Sequence, residues 1–509
     1  MRILCTALFP MWHYHFVSEL NLIESHLDEG DDVTLLTCDG CQRACEPNPP
    51  HLLAHCLRCI GIRQHGQSLL SREVRTKPLI RADFIPLTLP PEFRNIGTVE
   101  DLKKCKVDEF DIGWAVFSSL VDRAGTEFPS LVENRLLVES LLLDSLRIYR
   151  TACAYLAEDK YDRVYIFNGR YAAARPWLRA CASRGVTYVT HEKSSSLNRI
   201  FLYKNGIPHT TLGWPERMRA FWELNGNDGE VLKQAEDFFE ERPKGFLTGW
   251  YSFTDKQRGD QMPADWDPKR KNAVIFSSTS NEFAGIKDLI VASLFESQLE
   301  AYSFIVKEAS KRDPNLRFYL RIHPNSTEDK FRWWTEFDNE TLALLTIIPP
   351  ESGISSYTLL FNSDVVITPF SSIGIEATYW GKPSIVVDRP YYCGIDAVYE
   401  PQTGDEIVDL LAKDISPKPK INALKYSAFL RCSGFLLRHS NPLNYYTIDF
   451  KGSVLEARQE VHEWLARCEK RPKAGPIGKW LRDRNDAREF RKLWNQCGGK
   501  FAGFTTPVS

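Results

Sequence analysis

The 509-residue sequence lacks several features that mark special classes of protein. No uninterrupted apolar run approaches the roughly 18 residues of a membrane-spanning helix. Charged residues break up every candidate segment, which argues against an integral membrane protein. The chain also lacks a charge excess of either sign, because 64 Lys and Arg stand against 66 Asp and Glu. A net charge of -2 gives no general attraction to polyanions, so we expect no nucleic-acid partner.

The N-terminus lacks the pattern of a secretory signal. His13, His15 and Glu19 fall where a longer apolar core and a cleavage site would be needed. We therefore expect a cytoplasmic protein. The content of 43% hydrophobic and 26% charged residues is that of an ordinary globular protein, and the length favours two or three domains.

The pattern of apolar residues alternates between strands and helices in both halves of the chain. The first half gives strands near 3–9, 33–37, 164–167 and 186–190, and helices near 16–27, 131–156 and 172–183. The second half gives strands at 273–276, 318–322, 344–348, 364–368 and 384–388, and helices at 286–311, 330–337, 356–361, 373–380 and 406–411. Such alternation predicts an α/β protein with two doubly wound, Rossmann-like domains that face a cleft.

The expected domain limits follow from changes in composition. We predict a first domain over 1–245 that binds the acceptor, a linker over 246–270, a second domain over 271–450 that binds a nucleotide donor, and C-terminal helices over 451–509. The last segment carries an apolar stripe and basic residues between 479 and 494. It is expected to pack back across both domains, and the alternative is peripheral contact with the inner face of a membrane.

Hydroxyl-rich loops follow two strands of the predicted second domain. Ser277, Ser278 and Thr279 come after the strand at 273–276, and Ser371 and Ser372 come between the strand at 364–368 and the next helix. Ligands of open α/β sheets bind at the carboxyl ends of the strands, and serine hydroxyls with free N–H groups at a helix start suit a phosphate. A plain helix cap is the alternative for the serine pair.

Charged side chains are expected to join these loops. Pro324 ends the strand at 318–322, so that His323 can project into the crevice, with Arg321 alternate to it on the same face. The imidazole could hydrogen-bond or protonate a departing phosphate. Glu376, one helical turn beyond Ser372, could accept ribose hydroxyls or be a solvated carboxylate.

The first domain offers candidate groups for the opposite side of the cleft. Asn168 and Arg170 follow one strand, and His191 and Glu192 follow the next. A general base for an acceptor hydroxyl must face the leaving phosphate, and Glu192 and His191 meet that demand. His13 and His15, which follow the first strand, are weaker candidates for the same cleft. A solvated strand end is the alternative for the His-Glu-Lys run.

These motifs together resemble the C-terminal half of bacterial capsule and surface-polysaccharide glycosyltransferases of the two-Rossmann-domain GT-B type. Polysialyltransferases, Kdo transferases and teichoic-acid glycerophosphotransferases share the plan. The motifs are Arg-Ile-His-Pro at 321–324, Ser-Ser-Ile-Gly-Ile-Glu-Ala at 371–377 and Trp-Gly-Lys-Pro at 380–383. The resemblance implies that His323, Ser371 and Ser372 contact the donor's phosphate and that Glu192 is the base. The two acids followed by Gly of polysialyltransferases are absent here, since Lys193 and Ser194 stand in their place.

A cysteine-rich insert lies at 38–59. Five thiols are spaced as Cys38-x2-Cys41-x3-Cys45-x10-Cys56-x2-Cys59, and four of them could close a tetrahedral zinc site. We expect structural zinc on Cys38 or Cys41 with Cys45, Cys56 and Cys59. An iron–sulfur cluster and unligated thiols are the alternatives. Neither a redox cofactor nor a catalytic metal is expected.

The predicted function is transfer of a sugar or sugar acid, of hexosyl or of sialyl or Kdo type. The donor would be a nucleotide sugar, and the acceptor a surface polysaccharide or glycolipid. A nucleotide-sugar epimerase or hydrolase on the same plan is an alternative within enzymes. A non-catalytic polysaccharide assembly factor is the alternative from another class.

Overall fold

The computed structural model describes most of the chain. The described residues are 1–210, 213–245, 257, 261–279, 284–287, 293–324, 326, 332–457, 459–461, 463–464, 488 and 492–493. The predicted linker at 246–270 therefore lies outside them except for 257 and 261–270. The apolar stripe at 479–494 also lies outside them, apart from three positions.

The first half of the chain builds six strands of a seven-stranded sheet in the order β12-β6-β5-β4-β1-β2-β3, and β12 (Phe435–Leu436) comes from the second half. Its strands are β1 (Arg2–Cys5), β2 (Asp32–Thr37), β3 (Arg75–Pro78), β4 (Arg163–Phe167), β5 (Tyr188–Lys193) and β6 (Arg199–Lys204). Its helices are α1 (His13–Asp28), α2 (Leu53–Ser68), α3 (Val99–Lys104), α4 (Ile112–Ala124), α5 (Arg135–Glu158), α6 (Arg175–Ser183), α7 (Trp214–Asn225) and α8 (Gly229–Glu241). Strands β1 to β5 pair in parallel, whereas β6 is antiparallel to β5.

The second half builds a five-stranded, fully parallel sheet in the order β11-β10-β7-β8-β9. Its strands are β7 (Lys271–Phe276), β8 (Leu316–Arg321), β9 (Leu345–Ile348), β10 (Val365–Thr368) and β11 (Ser384–Val386). Its helices are α9 (Gln298–Arg312), α10 (Asn339–Leu344), α11 (Ser356–Asn362), α12 (Ile373–Tyr379), α13 (Gly404–Leu411) and α14 (Lys420–Cys432), and β12 (Phe435–Leu436) follows. Two parallel-rich, Rossmann-like sheets in one α/β chain confirm the predicted fold class, which is that of the GT-B plan.

Strand composition explains why both sheets are buried on two faces. Strand β7 reads as a continuous apolar run after its first two residues, and β10 is entirely buried. Central strands of a parallel sheet are covered by helices on both sides, so their sequences lose the alternation of polar and apolar residues. Side-chain caps start several of the covering helices, such as Ser297 for α9 and Ser355 for α11.

The chain returns to the first sheet before the predicted C-terminal segment 451–509 begins. Helix α14 packs against α7, α8 and α12, and β12 then pairs antiparallel with β6 of the first sheet. A shared aromatic cluster fills this junction. Its members include Phe201, Trp214, Phe238, Tyr379 and Phe429. The described residues between 448 and 464 then pack against the first domain.

Two predicted helices differ from the observed elements. Of the helix predicted at 286–311, residues 288–292 lie outside the described part of the chain, and the described helix begins at Gln298, where Ser297 caps it. The described part of 330–337 is a single 3-10 turn at Trp333–Thr335 whose two tryptophans are buried. No helix within the described ranges is both long and apolar enough to cross a membrane.

Candidate functional site

A cavity of about 690 Å3 opens at the carboxyl ends of the first-domain strands β4 and β5. We call it the aromatic cavity, because most of its wall is made of aromatic rings. Tyr391 of the second domain and Tyr445 and Tyr446 of the returning chain complete that wall. The residues lining it are Met11, Trp12, His13, Tyr14, His15, Phe167, Asn168, Arg170, Tyr171, Glu192, Lys193, Phe201, Tyr203, Pro208, His209, Trp214, Tyr391, Tyr445 and Tyr446.

Glu192 is the carboxylate of this cavity. It lies near the end of β5, and the Asn168 side-chain amide donates a hydrogen bond of 2.7 Å to its Oε2. The backbone N–H of Lys193 donates to Oε1 at 2.9 Å. Burial raises the pKa of Glu192, and the two hydrogen bonds oppose that rise. The result is a fixed, partly buried carboxylate able to exchange a proton nearer to neutral pH than an ordinary Glu.

Three histidines share the cavity with Glu192. Burial lowers the pKa of His13, and it lowers the pKa of His15 and of His209 to about 3 each. All three rings are therefore neutral at pH 7. Both ring nitrogens of His13 and the Nδ1 atoms of His15 and His209 are buried, with no hydrogen-bond partner within the described part of the chain. Buried polar atoms normally have partners, so these nitrogens suit a polar ligand.

The other first-domain candidates have different surroundings. Asn168 and Arg170 line the aromatic cavity, and Asn168 has a left-handed backbone with φ of 56°. The buried Arg170 guanidinium donates to Asp122 at 2.6 Å and to the hydroxyl of Tyr171 at 2.7 Å. His191, next to Glu192 in the strand, points to the opposite face.

The His191 ring is fully buried, with Nε2 3.3 Å from a carboxylate oxygen of Glu19 on α1. Residues i and i+1 of a strand point to opposite faces. His191 therefore supports the sheet behind the cavity, while Glu192 faces the cavity.

The second-domain loops meet at the carboxyl ends of three adjacent strands, β10, β7 and β8. Ser277 Oγ accepts a hydrogen bond of 2.8 Å from the backbone N–H of His323, and Ser278 Oγ accepts one of 3.2 Å from the N–H of Phe370. The two hydroxyls thus join the loop after β7 to the loops on either side. This brings together the segments that the motifs predicted to converge.

His323 and Arg321 lie on this edge in different environments. Burial and the nearby Arg321 lower the pKa of His323 to about 4, so that its imidazole is neutral at pH 7. The Arg321 guanidinium is buried and donates to the backbone carbonyls of Pro349 and Ser352. Burial lowers the pKa of Arg321 to about 10, which still leaves it charged. Arg321 holds the loop after β9, and its charge adds to the effect of burial in keeping His323 neutral.

Ser372 and Glu376 belong to a buried polar group at the start of α12. Arg242, just after α8, donates to Glu376 Oε1 at 3.0 Å and to Ser372 Oγ at 2.9 Å. Tyr357 donates to the other Glu376 oxygen at 2.6 Å. The neighbouring Ser371 carbonyl accepts a hydrogen bond of 2.6 Å from the Tyr392 hydroxyl. Glu376 thus has its oxygens occupied by protein groups, and this ties the serine turn to the rest of the domain.

A second cavity of about 370 Å3 lies where the second-domain loops face α3 and α4 of the first domain. We call it the serine cavity. Ser278 and Thr279 line it beside Phe370 and Asp388, and Lys103 comes from the first domain. Burial raises the pKa of Asp388. The cavity contains hydroxyl and ammonium donors and apolar walls, a combination that fits a small polar ligand.

The five cysteines of the insert lie behind the aromatic cavity and are all free thiols. Cys38 and Cys41 follow β2, with their sulfurs 3.8 Å apart, and Cys56 and Cys59 lie on α2. The Met11 backbone lies near the Cys59 thiol and opposes the rise that burial causes in its pKa, and Met11 lines the aromatic cavity. The insert and the wall of the cavity are therefore in direct contact.

Several lining residues were not among the sequence-based candidates. Trp12 precedes the candidates His13 and His15 on the same turn, and its position after β1 is the only signal for it. His209 follows the short strand β6, which the sequence analysis did not predict. Tyr391 and Tyr445 come from distant parts of the chain, so no local pattern indicates them.

No family model matches the sequence, and no curated protein matches it significantly. Among solved structures, this one is similar to Thermosulfurimonas dismutans KpsC, beta Kdo 2,4 transferase, with 15% identity, 53% of this chain and 87% of that chain covered, and a TM-score of 0.34. It is also similar to a UDP-GlcNAc 2-epimerase from Neisseria meningitidis, with 11% identity, 84% and 97% covered, and a TM-score of 0.26. The two sheets described above, rather than these distant likenesses, carry the fold assignment.

Proposed function

We propose that the protein is a glycosyltransferase that moves a sugar or sugar acid from a nucleotide-activated donor to a glycan or glycolipid acceptor. The observation that carries the proposal is the position of Glu192. Its carboxylate is held by Asn168 and a backbone N–H in a large cavity, beside nitrogens of His13 and His209 that have no hydrogen-bond partner among the described residues. A fixed carboxylate with a raised pKa is suited to accept the proton of an acceptor hydroxyl.

The aromatic cavity takes the acceptor. Aromatic rings such as Trp12 and Tyr445 offer flat apolar surfaces to sugar rings, and their polar edges stay available for hydrogen bonds. The neutral imidazoles of His13 and His209 can each donate or accept one hydrogen bond from sugar hydroxyls. A site of this volume and composition accommodates one or a few sugar units at the end of a longer chain.

The loops after β7, β8 and β10 take the donor. The neutral imidazole of His323 donates one hydrogen bond to a phosphate oxygen, and the Ser371 hydroxyl donates another. The Ser372 hydroxyl, which already donates to Glu376 Oε1 at 2.9 Å, holds the turn in place. Glu192 then accepts the proton of the acceptor hydroxyl, whose oxygen forms a bond to the anomeric carbon. The bond from that carbon to the phosphate oxygen breaks, and the nucleotide leaves with the electron pair.

The proposal is tested with purified full-length protein and labelled sugars linked to CMP, UDP, GDP or CDP, with and without glycan acceptors. Glu192→Gln is expected to lower transfer by about 100-fold or more, because the proton acceptor is removed. Donor binding, followed by thermal shift, is expected to remain. Glu223→Gln, which changes an exposed carboxylate on α7, is the control and should transfer at the wild-type rate.

Three outcomes would count against a transferase with Glu192 as base. Wild-type transfer by the Glu192→Gln protein would remove the base assignment. Rapid formation of an epimerised or hydrolysed product without acceptor would favour the epimerase or hydrolase alternative. Failure of all four nucleotide classes to bind in calorimetry would favour a polysaccharide assembly factor.

The cellular setting is part of the same proposal. An enzyme that uses nucleotide sugars works where these donors are made, which is the cytoplasm, and its lipid-linked or polymeric acceptor would be met at the inner face of the membrane. The basic residues between 479 and 494 would supply peripheral contact there.

A further inference from the structure

We propose that Cys38, Cys41, Cys56 and Cys59 bind one structural zinc ion behind the wall of the aromatic cavity. The site stands on geometry and donor chemistry. It does not depend on the transferase proposal, because a zinc ion here would support the fold whatever the reaction.

The Cys38 and Cys41 sulfurs already have the separation of two zinc ligands. Their Sγ atoms are 3.8 Å apart and are not joined in a disulfide. In a tetrahedral site with zinc–sulfur bonds of about 2.3 Å, two sulfurs lie about 3.8 Å apart. The two residues follow the end of β2, where a short Cys-x2-Cys turn presents both thiols to the same side.

The second pair is presented by α2. Cys56 and Cys59 are three residues apart in this helix and therefore lie on one face. Arg63, four residues after Cys59 on the same face of α2, donates to the Cys38 backbone carbonyl at 2.9 Å, which places this face of the helix against the Cys38 turn. Thiolates in such a group repel one another, and a divalent cation removes this repulsion. Two short-spaced pairs from a loop and a helix are a common ligand arrangement for structural zinc.

The remaining thiol, Cys45, has a different environment. It lines a separate cavity of about 220 Å3 together with Glu46, Ser119 and Asp122. Cys45 also lies near Cys38, Cys56 and Cys59, whose charges add to the effect of burial in raising its pKa. The 3.8 Å separation of the Cys38 and Cys41 sulfurs favours Cys41 as the fourth ligand, which differs from the set favoured by the sequence spacing alone.

The ligand set needs a small adjustment to close around an ion. Within the described ranges, no third donor atom of His, Cys, Asp or Glu lies within 4.8 Å of both the Cys38 and Cys41 sulfurs. A change of χ1 between staggered rotamers moves a cysteine sulfur by about 3 Å. Asn48, which donates to the Cys56 sulfur at 3.3 Å, can continue to bond to the metal-bound thiolate.

The position of the site gives the ion a structural task. Cys59 contacts the Met11 backbone at the edge of the aromatic cavity, and Cys56 packs against Val461 and Trp464 from the returning chain. A zinc ion would thus join the end of β2, helix α2 and, through α2, two segments that are distant in sequence. This places the ion where it stabilises one wall of the cavity.

The experiment measures metal in the full-length protein purified without added metal. We expect about one zinc per chain by mass spectrometry. After exchange, Co2+ should give the visible bands and the near-ultraviolet charge-transfer band of a tetrahedral thiolate site. Less than about half an equivalent of zinc together with no thiolate bands from Co2+ would overturn the proposal, and so would iron with acid-labile sulfide.

Single variants test the ligand set. Cys41→Ser and Cys59→Ser should lose most of the zinc, whereas Cys45→Ser and the remote control Cys153→Ser should keep it. Loss of zinc from Cys45→Ser with retention in Cys41→Ser would overturn the assignment. If a variant fails to fold, the wild-type protein still gives a result, because chelation should lower its melting temperature and expose 38–59 to limited proteolysis. A chelator-treated protein that lost its zinc without either change would contradict the structural role.

Discussion

Asn168 illustrates how one residue can set the behaviour of the proposed base. Its backbone has φ of 56°, a conformation that Asn adopts more readily than most residues. This turn brings the side-chain amide to Glu192, and its hydrogen bond favours the ionised carboxylate. We therefore regard Asn168 as a positioning residue.

The first prediction concerns the pH dependence of transfer. A base must be ionised, so the rate should fall as the pH falls through the raised pKa of Glu192, at a higher pH than for an ordinary Glu of about 4.3. Asn168→Ala removes a hydrogen bond that lowers this pKa. The acid limb of the profile of kcat/KM should then move to higher pH by about one unit.

The control for this variant is Asn205→Ala. Asn205 also has a left-handed backbone, with φ of 51°, and it bonds to the backbone of Tyr188 and not to Glu192. Asn205→Ala therefore also places an alanine in a left-handed backbone, but it leaves the hydrogen bonds of Glu192 unchanged. Equal shifts of the acid limb in both variants would show that strain, and not the Asn168 amide, sets the profile.

The adjacent residues His191 and Glu192 show what could not be predicted from the sequence. The spacing predicted that both His191 and Glu192 would face the cleft. Strand β5 extends to Lys193, so the two residues alternate between faces, and His191 packs toward Glu19. Strand ends are set by pairing with neighbouring strands, which short apolar runs do not specify.

At the scale of elements, Asp111 joins helix α6 to the start of α4. Arg179 donates to its carboxylate at 2.7 Å, and the fully buried Arg175 donates at 3.2 Å. Although burial acts in the opposite direction, these hydrogen bonds hold the pKa of Asp111 well below its usual range. The same helix α4 carries Ser118, which contacts Arg170 of the aromatic cavity.

The second prediction is that Asp111→Asn lowers the free energy of unfolding by about 3 kcal/mol at pH 7, because it leaves a buried guanidinium without its counterion. A carboxyl with a depressed pKa in the folded state stabilises above its unfolded pKa and loses that contribution as the pH falls. The difference between wild type and variant should therefore shrink below about pH 4. Urea unfolding of both proteins at pH 7 and at pH 3.5 measures this difference in the free energy of unfolding.

Asp108→Asn is the matched control, since Asp108 makes a solvent-exposed pair with Arg150. Its effect should stay below about 1 kcal/mol. If Asp111→Asn lowered the free energy of unfolding equally at pH 7 and pH 3.5, the result would contradict the ion-pair explanation and favour a packing defect.

The third prediction concerns the close approach of α12 to its sheet. A Cβ atom on Gly374 would lie 2.9 Å from Thr368 Cγ2 and would also clash with the Tyr392 hydroxyl. Gly374→Ala should therefore displace Tyr392 from the Ser371 carbonyl, cost about 2 kcal/mol of stability and weaken donor binding. Thermal unfolding with and without nucleotide sugar measures both effects. Gly229→Ala, where an added Cβ meets nothing within 4 Å, should change neither.

The sequence predicted the five strands of the second sheet well for a physical reason. Its strands are short apolar runs separated by helices with clear caps, and each run is recognisable without its neighbours. Helix α2 of the cysteine insert and helices α7 and α8 were not predicted. The cysteine, histidine and arginine content of α2 hides its periodicity, and α7 and α8 gain their burial from α14, about 200 residues later in the chain.

At the scale of the whole molecule, the two domains are joined through buried side chains. Arg242 lies at the end of α8, directly before the predicted linker, and its guanidinium binds Ser372 and Glu376 at the start of α12. The turn predicted to bind donor phosphate is thus fixed by a residue from the other half of the chain. No local pattern could predict this contact, because the two partners are separated by more than 100 residues.

The fourth prediction follows from this connection. Arg242→Met leaves the Glu376 carboxylate buried without its cation, so we expect a loss of about 3 to 5 kcal/mol in the free energy of unfolding and weaker donor binding. The double variant Arg242→Met with Glu376→Gln removes both charges and should recover part of the stability. Lys233→Met, an exposed change on the same helix, should behave as wild type.

The comparison of single and double variants separates two explanations. If Arg242 acts mainly by neutralising Glu376, the double variant should be more stable than Arg242→Met, and calorimetry should show whether donor affinity returns with it. Recovery of stability without recovery of affinity would mean that the Arg242 bond to the Ser372 hydroxyl itself orients the phosphate-binding turn. A double variant less stable than either single variant would contradict charge neutralisation and assign the contact to packing between the domains.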